Sequence, residues 1–119
     1  MQGAPTKKKA LIVGGGIAGP VLAMFLQRTG IEPVVYEGRS EPYDGSGAFL
    51  NLAPNGLAVL DALGVREGIE VAGTPTTSIA FHNHRGKKLG ENPERTVLLK
   101  RGLLNRSLRE AAVRRGISI

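Results

Sequence analysis

The 119 residues contain no cysteine and no tryptophan. Disulfides, thiolate metal sites and cysteine nucleophiles are therefore excluded, and the lack of cysteine fits a cytoplasmic protein. Aromatic residues make up only 4%, too few for the stacking platforms that read single-stranded nucleic acid. No apolar run approaches the roughly 20 residues a membrane-spanning helix needs. Met1 to Lys9 carries basic residues, but the apolar run behind it is broken by Gly14, Gly15 and Gly16. It reads as a poor signal peptide.

What is present is ordinary for a globular domain: 41% hydrophobic and 22% charged residues. Disorder, collagen and coiled coil are poor readings of that composition. The length allows one domain with a small core. The net charge of +6 is unevenly placed: Lys7, Lys8 and Lys9 carry +3, residues 100–119 carry +5, and residues 10–99 carry −2. A basic end suits nucleic acid or an anionic cofactor. No nucleic-acid recognition module accompanies it, and a solvated face is the commoner outcome. Neither nucleic acid nor a membrane is an expected partner.

Residues 1–9 read as a flexible tail. Ala10 to Val13 is a short apolar run ending in glycines, the pattern of a buried parallel strand. A helix is predicted from Ile17 to about Thr29, with Pro20 tolerated in its first turn and Gly30 closing it. Pro33 to Tyr36 reads as a second strand, ending at Glu37. After a loop at 38–48, Phe49 to Leu52 reads as extended. A helix then starts at Pro54, with Leu57, Leu60 and Leu63 on one face and Gly64 as its stop. Residues 76–90 suggest a hairpin around Asn83-His84-Arg85-Gly86. Thr96 to Leu99 is a further strand. A helix from Gly102 to Arg115 places Leu104, Leu108, Ala111 and Ala112 on one face. Ile117-Ser118-Ile119 reads as the first residues of a strand. The fold class is α/β: a Rossmann-like dinucleotide-binding fold of the glutathione-reductase type, incomplete, with a β insert.

Gly14-Gly15-Gly16-Ile17-Ala18-Gly19 is a G-x-G-x-x-G between a strand and a helix, with an acid, Glu37, at the end of the next strand. That context is what the dinucleotide fingerprint requires. Gly14 permits the tight turn. Gly16 lets the main chain approach a pyrophosphate, and Gly19 lets the helix pack close to the strand. The helix N-terminus at Ile17 and Ala18 offers unpaired N–H groups and the positive end of its dipole. Glu37 would accept hydrogen bonds from the adenosine ribose. It also argues against NADP at this site, because a 2′-phosphate beside a carboxylate is repelled. The fingerprint alone does not choose between NAD and FAD.

Two further segments make that choice. Gly47-Ala48-Phe49-Leu50-Asn51-Leu52-Ala53-Pro54-Asn55-Gly56, followed by Leu60-Asp61-Ala62-Leu63-Gly64, resembles the loop and helix after the ribose acid in class A flavoprotein monooxygenases. These are FAD-dependent hydroxylases of aromatic and polyketide substrates, including the tetracycline-inactivating enzymes. Lys100 to Leu108 resembles that family's Arg-x-x-Leu-x-x-x-Leu element, in which the Arg contacts FAD; here it is Arg101. The resemblance runs over residues 10–119. It implies FAD as cofactor and NAD(P)H as co-substrate. The reaction it implies is reduction of the flavin, activation of O2 on it, and transfer of one oxygen to an aromatic or polyketide-like small molecule. Gly14, Gly16, Ile17, Ala18, Gly19, Glu37, Gly38, Arg39, Gly47, Ala48, Asn51 and Arg101 are the candidate cofactor residues. Two positions depart from the family. Gly38 stands where a basic residue usually follows the ribose acid, with Arg39 one place later. Asp44 stands where many members carry an Arg associated with nicotinamide cofactor or flavin movement.

The same resemblance implies a substrate domain, a Gly-Asp motif and a C-terminal helix, which residues 1–119 do not supply. The expected partner is thus the remainder of the polypeptide, lying against Val34, Val35 and the Ile117–Ile119 strand. Other readings are another FAD oxidoreductase without hydroxylation, or a stand-alone non-catalytic nucleotide-binding module. His82 and His84 lie two apart by a turn, but no third ligand accompanies them, so no metal site is expected. No nucleophile–base pair stands out and the catalytic residues are unassigned, as is usual where a cofactor carries the chemistry.

Overall fold

Aliphatic residues at 10–13 and 33–35 build two short strands, and the glycine-flanked apolar segment between them forms a helix. In the computed structural model, which describes residues 3, 6–40 and 47–119, β1 (Lys9–Val13) and β2 (Glu32–Tyr36) pair in parallel. Leu11 lies opposite Val34 and Ile12 opposite Val35. α1 (Ala18–Arg28) connects them. β1 starts at Lys9, one residue inside the segment expected as tail. Loop positions 41–46, with Asp44, lie outside the described residues.

The chain divides into two units, Met1–Asp44 with Leu104–Ile119, and Gly45–Leu103. In the first, Ile12 and Val35 point to one face of the sheet and are buried, as are Ala23 and Met24 of α1. α4 (Arg101–Arg114) buries its predicted stripe of Leu104, Leu108, Ala111 and Ala112. Its end is tied to α1: the Gln27 side-chain amide donates to the Arg115 carbonyl at 2.9 Å. Beyond α4, Ser118 bridges Val34 in parallel, and the Val35 N–H donates to the Ser118 carbonyl at 2.9 Å. The edge of Val34 and Val35 expected to meet further polypeptide is therefore met by this chain's own residues. On the other face, Leu11, Val13 and Tyr36 are exposed.

The second unit is built on an antiparallel sheet of β3 (Phe49–Leu52), β7 (Thr96–Lys100) and β4 (Thr74–Thr76), with β7 in the centre. Val97 and Leu99 are buried, as are Leu57, Leu60 and Leu63 of α2 (Pro54–Ala62) and just beyond, and Ile69 of α3 (Arg66–Ala72). α3 and β4 were not expected from the sequence. Gly73 joins them where a Cβ would lie 2.6 Å from the Val97 side chain, so only glycine fits there without a shift. The expected hairpin is present as β5 (Ile79–His82) and β6 (Lys88–Asn92), starting three residues later and ending two residues later than predicted and, among the described residues, paired with no other strand. Among the described residues, no helix is long and apolar enough to cross a membrane.

Candidate functional site

The glycine turn leaves β1 at Gly14, whose φ of +109° is a conformation L side chains rarely adopt. The Gly14 N–H donates to the Tyr36 carbonyl at 2.7 Å, holding the turn against the end of β2. Gly19 lies in the first turn of α1, where a Cβ would fall well inside contact distance of the Gly14 carbonyl oxygen. This is the close helix–strand approach the motif requires. At Gly16 a Cβ would meet nothing within 4 Å. The protein thus leaves open the approach a pyrophosphate would use.

Ile17 is the N-cap of α1 and makes no side-chain capping bond, and the first turn carries no acid. Helix N-termini usually have such a cap, since their first N–H groups lack intrahelical partners. This one, starting at Ala18, presents bare N–H groups and the positive end of the dipole beside a Cβ-free turn. That arrangement can receive an anion.

Glu37 follows β2 and is half-buried. Its Oε2 accepts the Gly15 N–H at 2.8 Å and its Oε1 the Arg39 N–H at 3.0 Å. These backbone donors, Arg39 first and then Gly15, hold its carboxyl below the usual carboxylate range, helped by the positive charges of Arg39 and Arg109. Glu37, expected from the sequence to meet a ribose, fastens the glycine turn in the structure. Gly15, given no role from the sequence, is the buried partner in that bond. No spacing rule distinguishes it from its neighbours. Gly38 and Arg39 are exposed beside Glu37.

The other candidates lie in the second unit. Gly47 has φ +115°, and a Cβ built there would sit 3.7 Å from Cβ of Arg101. The Arg101 N–H donates to the Ala48 carbonyl at 3.2 Å. The 47–48 segment and the start of α4, 53 residues apart in sequence, are thus brought together, with the Arg101 side chain exposed. Asn51 stands on β3 within reach of β7, its Oδ1 3.5 Å from Thr96 Oγ1. Thr96 is buried and shares a 2.5 Å hydrogen bond with Thr76 Oγ1. Phe49 is exposed, its ring 5.9 Å from Nζ of Lys100.

A parallel β–α–β with a glycine turn, an uncapped helix and an acid closing the second strand defines a dinucleotide-binding domain. The family model described as an FAD binding domain matches residues 7–119, and the chain belongs to that family. FAD is accordingly the cofactor of the domain. An FAD-dependent monooxygenase of Aspergillus flavus is 37% identical over 89 residues, 75% of this chain and 19% of the relative. One of Penicillium crustosum is 52% identical over 60 residues, 50% of this chain and 13% of the relative. Among solved structures, the tetrameric form of 2-methyl-3-hydroxypyridine-5-carboxylic acid oxygenase superposes with a TM-score of 0.84 at 26% identity, covering 96% of this chain and 31% of its own. The tetracycline destructase Tet(55) gives a TM-score of 0.69 at 26% identity, covering 95% of this chain and 29% of its own. The chain spans 15% to 23% of the length of the first curated relatives it matches.

Proposed function

We propose that residues 1–119 are the N-terminal part of the FAD domain of a cytoplasmic flavin-dependent monooxygenase. The whole protein hydroxylates an aromatic or polyketide-like small molecule with NAD(P)H and O2. The observation that carries this reading is the uncapped N-terminus of α1 behind an open Gly16, in a chain of the FAD binding domain family. The monooxygenase names of the relatives support the reaction class. The substrate named in the structural neighbour, a hydroxylated pyridine carboxylic acid, supports an aromatic ring.

In this reading the main chain at Gly14, Gly16, Ile17, Ala18 and Gly19 receives the pyrophosphate. Glu37 accepts from the adenosine ribose, flanked by Gly38 and Arg39. Gly47, Ala48 and Asn51 contribute from β3 and its approach, and Arg101 offers its guanidinium to oxygens of the cofactor. Bound FAD would supply the redox chemistry that no side chain here can. These residues bind and orient it. The substrate domain lies in the remaining polypeptide, which also covers Leu11, Val13 and Tyr36, since an apolar sheet face is stable only when covered.

The test is a spectrum and a turnover assay on the full-length protein. Oxidised flavin bound at one per chain should absorb near about 450 nm, and NAD(P)H oxidation should be coupled to oxygen insertion into an aromatic substrate. Flavin reduction without any oxygenated product would make it another FAD oxidoreductase. A folded protein without flavin would leave a non-catalytic nucleotide-binding module.

A further inference from the structure

Two basic stretches far apart in sequence meet at one end of the first unit. β1 starts there and both α1 and α4 finish there, with Arg28 the last residue of α1 and Arg114 the last of α4. Gln27 is bonded to the Arg115 carbonyl, and Nη1 of Arg115 lies 2.7 Å from Sδ of Met24, so the two helix ends are fastened together. Lys7 lines a hollow of about 190 Å³ with Gln27, Glu32, Gly116 and Ser118. Lys7, Lys8, Arg28 and Arg114 are exposed. The glycine turn and Glu37 lie at the opposite end of the strands. This charge is therefore not placed to meet the phosphates of the cofactor.

Helix dipoles explain part of the cluster, since cations favour a helix C-terminus. They do not explain Lys7, Lys8 and Lys9, which belong to no helix. Among the described residues of this unit the side-chain carboxylates are Glu32, Glu37 and Glu110. Glu32 is paired with Lys9 at 3.4 Å, and Glu110 with Arg106 at 2.9 Å and Arg114 at 4.0 Å. Glu37 is at the far end. The like charges act on one another: burial first, then Arg28 and Arg114, lower the pKa of Arg115. Gathered charge of one sign opposes the folded state unless an anionic occupant relieves it.

We infer that this end of the unit docks an acidic polypeptide segment, received by Lys7 at the hollow and by the exposed Lys8, Arg28 and Arg114 at the same end of the unit. The lining favours a polypeptide over a phosphate-bearing surface. The hollow is also walled by Ile31, Pro33, Val34 and Ile117, apolar groups that suit the side chains of a polypeptide and offer nothing to a phosphate. Gln27 and Ser118 add hydrogen-bonding side chains to the hollow. The inference stands apart from the monooxygenase reading, because its surface and its assay involve no flavin.

The experiment uses the full-length protein and a fluorescein-labelled oligoglutamate peptide, read by fluorescence anisotropy. The peptide should bind, and binding should weaken as salt is raised. Reversing Lys7, Lys8, Arg28 and Arg114 together to Glu should weaken it on the order of tenfold or more. Reversing Arg85, Lys87, Lys88 and Arg95 to Glu makes the same change of net charge in the second unit and should leave the affinity as it was. An unchanged far-ultraviolet circular dichroism spectrum and a cooperative thermal transition show that each variant is folded. Equal losses in both variants, no peptide binding at all, or tighter binding to phosphatidylserine vesicles or duplex DNA than to the peptide would each overturn the inference.

Discussion

Gly16 and Gly19 belong to one motif, yet the structure assigns them opposite burdens, and two substitutions separate them. At Gly16 an added side chain meets nothing of the protein within 4 Å, and the backbone is not in the left-handed region. Gly16→Val should leave stability within about 0.5 kcal/mol of wild type, as for surface changes that touch nothing. The new side chain would occupy the approach to the pyrophosphate, so flavin retention should fall roughly tenfold or more. At Gly19 the added Cβ collides with the Gly14 carbonyl oxygen. Relief requires the Gly14 turn or α1 to shift, and overpacking of this kind costs about 1–3 kcal/mol. Alanine recovers less than the roughly 1 kcal/mol it gains over glycine in a helix interior, because Gly19 is in the first turn. Gly19→Ala should therefore destabilise the apoprotein by about 1–2 kcal/mol, at about 4–8 °C per kcal/mol for a domain of this size. Thermal unfolding of the apoprotein and flavin absorbance of the purified full-length protein read the two effects separately. A folded Gly16→Val variant that keeps wild-type flavin, or a Gly19→Ala apoprotein as stable as wild type, would refute the division of roles.

Glu37→Ala should weaken FAD by roughly 10- to 100-fold, as expected for loss of a charged acceptor; an unchanged dissociation constant would return Glu37 to a purely structural role. Because the Glu37 pKa is depressed in the fold, its contribution is present in full above its unfolded pKa and is lost as pH falls through the lower folded value. Flavin retention should thus be flat through neutral pH and fall only in acid, and a loss near neutrality would exclude Glu37 as the cause. Thr96→Val leaves Thr76 without its side-chain partner and should cost about 1–2 kcal/mol in urea unfolding, while the Thr76→Val/Thr96→Val pair should cost less than the sum of the single changes. Leu108→Ala empties a site that is 0% exposed and should cost about 2–5 kcal/mol, whereas Val113→Ala on the exposed side of α4 should change stability by about 0.5 kcal/mol at most.

β1, α1, β2 and α4 were legible because each carries its own signal: an apolar run closed by glycine, or a stripe such as Leu104, Leu108, Ala111 and Ala112 that survives into the buried set. β4 has no such signal. Thr74-Pro75-Thr76 becomes a strand only by pairing with Thr96 to Leu98, some 20 residues away, and proline is admitted because β4 is an edge strand. α3 is seven residues with an internal glycine, too short to show a period, and Ile69 is its one fully buried anchor. The same limit applies to the site. Spacing pointed to Gly14, Gly16, Gly19 and Glu37, since the fingerprint is local. The Gly15–Glu37 bond spans 22 residues and depends on how two strand ends align, which no local pattern encodes.

That bond bears on how the turn is ready for an anion before one arrives. A run of three glycines loses more conformational entropy on ordering than any other sequence, so a cofactor arriving at a loose turn would have to supply that ordering. Here the cost is met within the protein: Gly14 is bonded to Tyr36, Gly15 to Glu37, and Gly19 is wedged against Gly14. Each carboxylate oxygen of Glu37 takes one backbone N–H and keeps capacity for another donor. A ribose hydroxyl would therefore add to the existing bonds without displacing them. Glu37→Gln separates the two functions. The amide keeps the shape and one acceptor oxygen, but its NH2 cannot accept from Gly15 or Arg39. If fastening the turn matters, this variant should lose affinity nearly as far as Glu37→Ala, with increased hydrogen exchange at the Gly15 and Gly16 amides of the apoprotein. Affinity like wild type with unchanged exchange would show that the turn is ordered without the carboxylate.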